Sequence, residues 1–106
     1  MQQNLFSNNK LPIVVNKKKS KYDIYIGRGS KWGNPYTHLK FDTKAKYIVE
    51  TREESIRLYE VYARNNKEIM ENLYLLEGKI LGCFCKPKDC HGDILVKLFR
   101  EKFCNG

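Results

Sequence analysis

The hydrophobic positions of this chain occur first in short strand-like runs and later at helical spacing. Residues 11–15, 22–26 and 80–85 form runs whose length, alternation and β-branched or aromatic content predict β-strands. Residues 16–21, a polar and strongly basic turn, join the first two runs. We therefore predict that these two strands pair as a β-hairpin with the lysines in its loop.

Three later segments show the three-to-four-residue spacing of amphipathic helices. The first begins at Thr51, which forms a capping box with Glu54, and its solvent-exposed face includes Arg52. The second ends at Gly78, and the third follows a candidate cap at Asp89. The predicted helices span residues 51–65, 67–77 and 90–103. Their inward-facing positions are Ile56, Tyr59, Tyr62 or Ala63, Ile69, Leu73, Leu76, Ile94, Leu95, Leu98, Phe99 and Phe103.

This order of elements predicts the α/β (or α+β) class, with a small mixed sheet flanked by about three helices. The chain has 106 residues, of which 42% are hydrophobic and 30% are charged, a composition typical of one globular domain. We expect residues 11–106 to form that domain and residues 1–10, which are mostly polar, to be flexible.

The sequence contains no hydrophobic run that approaches the roughly 20 residues needed to cross a bilayer. Its first ten residues lack the pattern of a secretion signal. We therefore expect a cytoplasmic protein without a membrane partner, in which the cysteines are reduced. Four cysteines in such a protein indicate metal binding, catalysis or burial before disulfides.

Positive charge is concentrated at the two ends of the sequence. Residues 1–46 carry ten Lys/Arg and two Asp/Glu, residues 47–78 carry four and seven, and residues 79–106 carry six and three. This distribution indicates an anionic partner, which could be a nucleotide, a nucleic acid or an acidic protein surface. The alternative is a basic surface that is merely solvated. A nucleic acid would contact the lysines of both ends, namely Lys17, Lys18, Lys19, Lys21, Lys31, Lys86 and Lys88.

Residues 26–38, IGRGSKWGNPYTH, form a glycine-rich loop with basic and aromatic side chains. Glycines allow the backbone to approach a ligand closely, while cations and aromatic rings can bind a phosphate and stack on a base. The spacing matches neither the P-loop nor the dinucleotide-binding fingerprint, so we expect no cofactor. The alternative is a structural turn, and for Trp32 packing onto the core is favoured. The candidate ligand-binding residues are Gly27, Arg28, Gly29, Ser30, Lys31, Trp32, Gly33 and Asn34.

Residues 79–95, KILGCFCKPKDCHGDIL, are predicted to form a strand, a short loop and the start of a helix. Three of the four cysteines and one of the two histidines lie within nine residues here. Ligands of α/β proteins bind beyond the carboxyl ends of strands, and a helix N-terminus lowers the pKa of a nearby thiol. This stretch is therefore the second half of the predicted site. Its candidate catalytic residues are Cys85, Cys90, His91 and Asp93.

Three interpretations of this cluster remain open. Cys85 or Cys90 could be a reactive thiolate, or His91 an acid/base group, in an anion pocket closed by the glycine-rich loop. Alternatively, Cys83, Cys85, Cys90 and His91, with or without Cys104, could bind zinc, or the thiols could be core residues. Neighbouring helical residues diverge by roughly 100°, which disfavours ligation by both Cys90 and His91. We predict no metal site, with Cys83 buried and Cys90 and His91 facing the pocket.

The segments GRGSKWGNPY, REESIRLYEVY and LEGKILGCFCKPKDCHGDIL resemble the family called domain of unknown function 4326 over about residues 12–99. The resemblance implies a phage or bacterial origin and an α/β domain, and it supplies no activity. The Cys-His helix start is also similar to that of domain of unknown function 488. In that family an arginine commonly follows the histidine, whereas Gly92 does so here.

Two functional hypotheses follow. The first is a binding or catalytic pocket for a phosphate-bearing nucleotide or nucleoside derivative, formed by residues 26–38 and residues 85–93. The second is a non-enzymatic, phage-encoded protein that binds nucleic acid or inhibits an acidic host protein in the host cytoplasm.

Overall fold

The computed structural model describes residues 10–37, 47–86 and 88–104. Its strands are β1 (Ile13–Asn16), β2 (Ile24–Tyr25), β3 (Tyr36–Thr37), β4 (Tyr47–Ile48) and β5 (Ile80–Cys83). Its helices are α1 (Arg52–Arg64), α2 (Lys67–Asn72), which continues as a 3-10 turn (Leu73–Leu76), and α3 (His91–Phe103). Nine of the ten residues predicted to be flexible, and the last residue of the glycine-rich loop, His38, lie outside the described residues.

β5 is the central strand of a three-stranded sheet with the order β1-β5-β2. Ile13 pairs with Ile80 and Ile24 pairs with Leu81, both in parallel register. The predicted hairpin is therefore wrong, because β1 and β2 run in the same direction on opposite sides of β5. β3 and β4 also pair in parallel. The α/β class is confirmed, while the pairs among the described strands are parallel rather than mixed.

The character of β5 explains this strand order. Leu81, Gly82 and Cys83 are all buried, as expected for a parallel strand that is covered on both faces. Asp23 fastens the start of β2 to β5, since its carboxylate accepts a hydrogen bond from the Ile80 amide at 2.8 Å. Alternation along β1 and β2 correctly indicated strands, but it carries no information about which partner each strand takes.

The first two predicted helices are confirmed. Thr51 Oγ1 accepts a hydrogen bond from the amide of Glu54 at 3.0 Å, which satisfies one of the free amides at the start of α1. The Glu54 carboxylate accepts a bond from the amide of Glu50 at 3.3 Å rather than from that of Thr51. After the 3-10 turn, Gly78 has a φ of +67°, the left-handed conformation of a C′ residue.

The third helix is confirmed, but its cap differs from the prediction. Cys90, rather than Asp89, is the N-cap, and its sulfur accepts a hydrogen bond from the Gly92 amide at 3.3 Å. The Asp93 carboxylate in turn accepts one from the Cys90 amide at 3.1 Å. The backbone of Cys90 is extended, with φ of −150° and ψ of 171°, which is the conformation that a capping residue needs.

The core lies where α1, α2 and α3 pack together and where α3 covers β1. Trp32 is only 4% exposed and belongs to this core, as the alternative for that residue predicted. The buried hydroxyl of Tyr59 donates a hydrogen bond to the Trp32 carbonyl at 2.7 Å and so anchors the glycine-rich loop. The buried inward-facing positions of the helices are Tyr59, Ala63, Ile69, Leu73, Leu76, Ile94, Leu95, Leu98 and Phe99.

Within the described ranges, no helix is long and apolar enough to cross a membrane.

Candidate functional site

A cavity of about 540 Å³ lies beyond the carboxyl ends of β2 and β5, next to the first turn of α3. Both segments singled out from the sequence contribute to its walls, and α1 closes a third side. From the predicted ligand-binding and catalytic residues, the cavity is lined by Gly27, Arg28, Asn34, Cys85, Cys90 and His91. The further lining residues are Tyr25, Thr37, Arg52, Ser55, Ile56, Cys83, Phe84, Lys86, Lys88 and Asp89.

The remaining candidates of the glycine-rich loop do not line the cavity. Ser30 donates hydrogen bonds to the Gly27 carbonyl from its hydroxyl (2.7 Å) and from its amide (3.1 Å), which closes a tight turn. Gly29 occupies the turn with a φ of +98°. A Cβ atom on Gly33 would lie 2.8 Å from the carbonyl oxygen of Gly27, so the turn is packed against itself. Gly29 and Gly33 therefore shape the wall, whereas Gly27 lines the cavity itself.

A hydrogen-bond network attaches this wall to α1. Asn34 donates from Nδ2 to the Ser55 hydroxyl at 2.9 Å and accepts from the Tyr36 amide at 2.9 Å. The Tyr36 carbonyl accepts from Ser55 at 3.0 Å and from the Arg28 guanidinium at 2.7 Å. Arg28 is thus held in a fixed position where it lines the cavity. Ser55 was missed from the sequence because serine on an otherwise amphipathic helix carries no distinctive signal.

The three neighbouring thiols differ in exposure. Cys83 and Cys90 are 1% and 2% exposed, and their sulfur atoms lie 3.4 Å apart. Cys85 follows the end of β5 and is half-buried at the cavity wall. All four cysteines of the chain are free. The burial of Cys83 and the placement of Cys90 and His91 at the cavity agree with the prediction.

The pKa values of Cys85 and Cys90 are shifted in opposite directions. Hydrogen bonds from the thiols of Cys83 and Cys90 lower the pKa of Cys85, and the guanidinium of Arg52 lowers it further. The pKa of Cys90 is raised, because its hydrogen bonds with Cys83 and Cys85 favour the thiol and because it is buried. Of the two candidate nucleophiles, Cys85 is therefore the one that the structure favours as a thiolate.

His91 is fixed by the backbone of the glycine-rich loop. Its Nε2 lies 2.6 Å from the carbonyl oxygen of Ile26, and its ring contacts that of Tyr59 edge-on. Burial lowers the pKa of His91, and the Ile26 carbonyl opposes this shift only in part. The neutral ring donates from Nε2 to the carbonyl, which leaves Nδ1 as a hydrogen-bond acceptor.

Acidification should destabilise the protein through His91. The unfolded chain protonates this histidine near pH 6.5, whereas the folded protein does so only at lower pH. The stability contributed by neutral His91 is therefore complete above about pH 6.5 and is lost as the pH falls from there toward the lowered pKa. We expect a slope of up to about 1.4 kcal/mol per pH unit, measured by urea unfolding at pH 7, 6 and 5.

The control for this prediction is His91→Gln, which keeps an N–H donor for the Ile26 carbonyl but does not titrate. Its free energy of unfolding should vary less over the same pH range. An identical pH dependence in the two proteins would contradict the assignment to His91.

Asp93 does not line the cavity. Its carboxylate accepts hydrogen bonds from the Lys86 ammonium at 2.6 Å and from the Cys90 amide at 3.1 Å. These contacts give Asp93 a structural role, in which it caps α3 and holds the loop after β5. They also show that Lys86 is an ion-paired residue of the cavity wall rather than an unattached surface cation.

The position of Arg52 differs from the prediction. It was expected on the solvent face of α1, yet it lines the cavity and its Nη1 lies 3.4 Å from the Asp89 carbonyl. Its position four residues before the inward-facing Ile56 is the signal that could have identified it. The helix stripe that faces the protein thus continues one turn further than its hydrophobic residues do.

The basic turn, defined as residues 17–21, lies beside the cavity without lining it. Lys17 Nζ is 4.8 Å from the ring centroids of both Tyr25 and Phe84, and Lys18 Nζ is 5.7 Å from that of Phe84. Lys19 and Lys21 are exposed. The proposed nucleic-acid contacts of these lysines remain a prediction.

Among the described residues, no group of three or more His, Cys, Asp or Glu side chains is arranged to hold a metal ion. The four potential ligands of the cluster instead contact one another, the backbone or Arg52.

The fold and the cavity define a small α/β protein with a basic, thiol-containing pocket at the carboxyl edge of a parallel sheet. The chain belongs to the family described as domain of unknown function (DUF4326), whose model matches residues 14–101. The resemblance inferred from the motifs is thereby confirmed. An uncharacterized 12.4 kDa protein in the nrdA-td intergenic region of Enterobacteria phage T4 is 36% identical over 104 residues, covering 94% of this chain and 92% of the relative. No solved structure matches the chain.

Proposed function

We propose that the protein binds a small phosphate-bearing ligand of the nucleotide or nucleoside type in this cavity. The observation that carries the proposal is that the glycine-rich loop and the Cys/His helix start form the walls of one cavity. Its volume of about 540 Å³ lies within the roughly 300–1,000 Å³ that small-molecule sites occupy.

The charges around the cavity support an anionic ligand. Of the described residues, Arg28, Arg52, Lys86 and Lys88 line it together with one acidic residue, Asp89, and Lys86 is paired with Asp93 behind the wall. The thirteen-residue helix α3 adds the positive end of its dipole. Bonds within the cap occupy the amides of Gly92 and Asp93. Arginine and lysine side chains, rather than free helix amides, therefore supply the direct contacts to a phosphate in this proposal.

The apolar part of the wall supports a ligand that also carries a base. Tyr25 and Phe84 meet edge-to-face with centroids 6.3 Å apart, and Ile56 lines the same cavity. Phe84 is 52% exposed, so part of its ring is open to a stacking partner. Aromatic rings bind nucleobases by stacking, at roughly 1–3 kcal/mol per base. A nucleotide would contact both the basic and the aromatic parts of the wall, whereas inorganic phosphate would contact the basic part alone.

Replacing Arg52 with glutamine should weaken this binding by about tenfold or more, because it removes a charged hydrogen-bond donor from the cavity. The ligand is first found by thermal-shift measurements with nucleotides, ADP-ribose and sugar phosphates. A ligand at 100 times its Kd stabilises a protein by about 2.7 kcal/mol, which such a screen detects as a rise of roughly 10 °C in the melting temperature.

Arg57→Gln is the matched control, since it removes the same charge from an exposed position of the same helix outside the cavity. It should leave the ligand-induced shift intact. The proposal fails if no phosphate compound raises the melting temperature, or if both arginine variants lose the shift equally.

A further inference from the structure

The basic turn and the mouth of the cavity form one continuous surface. The three strands of the main sheet are parallel, so the turn after β1 and the loop after β5 leave the same edge. The Lys17 amide donates to the Cys83 carbonyl at 2.8 Å, and Asn16 Nδ2 donates to the Lys86 carbonyl at 2.8 Å. These bonds fasten the turn to the loop that forms the cavity wall.

Phe84 and Tyr25 belong to both parts of this surface. Both rings line the cavity. The Lys17 ammonium lies 4.8 Å from the centroid of each ring. Lys18 approaches Phe84 from the turn as well. A base stacked at the mouth would therefore have arginine side chains on its cavity side and lysine side chains on its outer side.

The number of cations exceeds what a mononucleotide can contact. Arg28, Arg52 and Lys88 line the cavity, and the basic turn adds four lysines and no acidic residue. A ligand whose phosphates all sit inside the cavity leaves the lysines of the turn unused. A chain of phosphates that continues out of the mouth contacts both sets.

We propose that the cavity takes the terminal nucleotide of a single-stranded nucleic acid that ends in a phosphate, while the following phosphates lie along the basic turn. This inference rests on the proposed function and names the ligand class for the same site. A single strand fits because its bases are unpaired and free to stack on Phe84, whereas a duplex would first have to release its terminal base.

Fluorescence anisotropy can test the inference with single-stranded DNA of about eight nucleotides, a length within the site sizes of single-strand binders. The strand carries a phosphate at either its 5′ or its 3′ end, and the comparison ligands are the unphosphorylated strand, the blunt duplex and a mononucleotide competitor. At about 0.1 M salt each phosphate contact contributes roughly fivefold, so two contacts to the turn should make one of the phosphorylated strands at least about tenfold tighter than the mononucleotide.

The double variant Lys18→Gln/Lys19→Gln should remove most of this advantage and reduce mononucleotide affinity by a much smaller factor. Both side chains are exposed, so the variant is expected to fold. Arg57→Gln/Lys67→Gln removes the same charge from exposed positions of α1 and α2 and should preserve the advantage. Arg52→Gln should weaken both ligands.

Three results would overturn the inference and leave the proposed function standing. They are a mononucleotide that binds as tightly as the strand, a strand or duplex whose affinity does not depend on the terminal phosphate, and an equal loss in the two double variants. Failure of mononucleotide and strand alike to bind would overturn the inference together with the proposed function.

Discussion

Between pH 8 and pH 6, the rate at which iodoacetamide alkylates Cys85 should stay nearly constant, while the thiols of the unfolded chain react roughly a hundredfold more slowly at the lower pH. A thiol with the ordinary pKa of about 8.5 loses its thiolate about tenfold per pH unit below that value. Hydrogen bonds from Cys83 and Cys90, together with Arg52, lower the pKa of Cys85, so we expect it to stay ionised over this range.

Peptide mass spectrometry would assign the label to its cysteine, and the protein in denaturant provides the reference rates. Using the pH dependence rather than the absolute rate is important, since a thiolate with a lower pKa is also a weaker nucleophile. Arg52→Gln should restore part of the pH dependence of Cys85 labelling, whereas Arg57→Gln should not. Labelling of Cys85 that declines in parallel with the unfolded chain, or faster labelling of Cys90, would contradict the assignment.

Of the two candidate nucleophiles, Cys85 is the more accessible to a reactant, because its side chain is only half-buried at the cavity wall. Cys90 is a poorer candidate for the nucleophile, since its sulfur is buried and accepts a hydrogen bond from the Gly92 amide. The alkylation experiment therefore also decides which cysteine to replace when activity is sought.

Gly33→Ala should lower the free energy of unfolding by about 1–3 kcal/mol and the melting temperature by roughly 4–12 °C. The new Cβ would lie 2.8 Å from the Gly27 carbonyl oxygen and 3.0 Å from the Arg28 Cα. Both neighbours are backbone atoms, so the clash cannot be relieved by turning a side chain. The two residues that must move also line the cavity, and ligand binding should weaken with stability.

Lys31→Ala is the control for this substitution, because it changes an exposed residue of the same turn. Exposed substitutions of this kind usually change the free energy of unfolding by less than about 0.5 kcal/mol. Thermal unfolding of both variants, followed by circular dichroism, would make the comparison. An unchanged melting temperature in Gly33→Ala would show that the turn can open without cost.

The sequence was sufficient to predict the helices, the three strands of the main sheet and the meeting of two distant segments, but not the β3–β4 pair. Helical spacing and caps are local signals, which is why α1 and α2 were located from residues such as Thr51 and Gly78. The meeting of the glycine-rich loop with the Cys85–His91 loop followed from the rule that sites of α/β sheets lie at the carboxyl ends of strands.

The features that escaped prediction depend on contacts between distant residues. Strand alternation is the same whether β1 pairs with β2 or with β5, so the hairpin error could not be detected locally. Arg52 has the charge of a solvent-exposed residue, and only the fold places it against the loop of Asp89. Asp93 looked like a site residue because it follows Cys90 and His91, yet its two partners assign it to the cap.

β5 leaves the ribosome well after the two strands that it joins, because residues 26–79 separate it from β2. At roughly 5–20 residues per second, synthesis of that segment takes several seconds. During this interval β1 and β2 have no partner strand, and unpaired apolar strands readily associate with other chains. The lysines of the basic turn lie between them, where charge opposes such association. We therefore expect the lysines that border the finished pocket to matter earlier as well, because their charge should hinder aggregation of the two strands until β5 has been made.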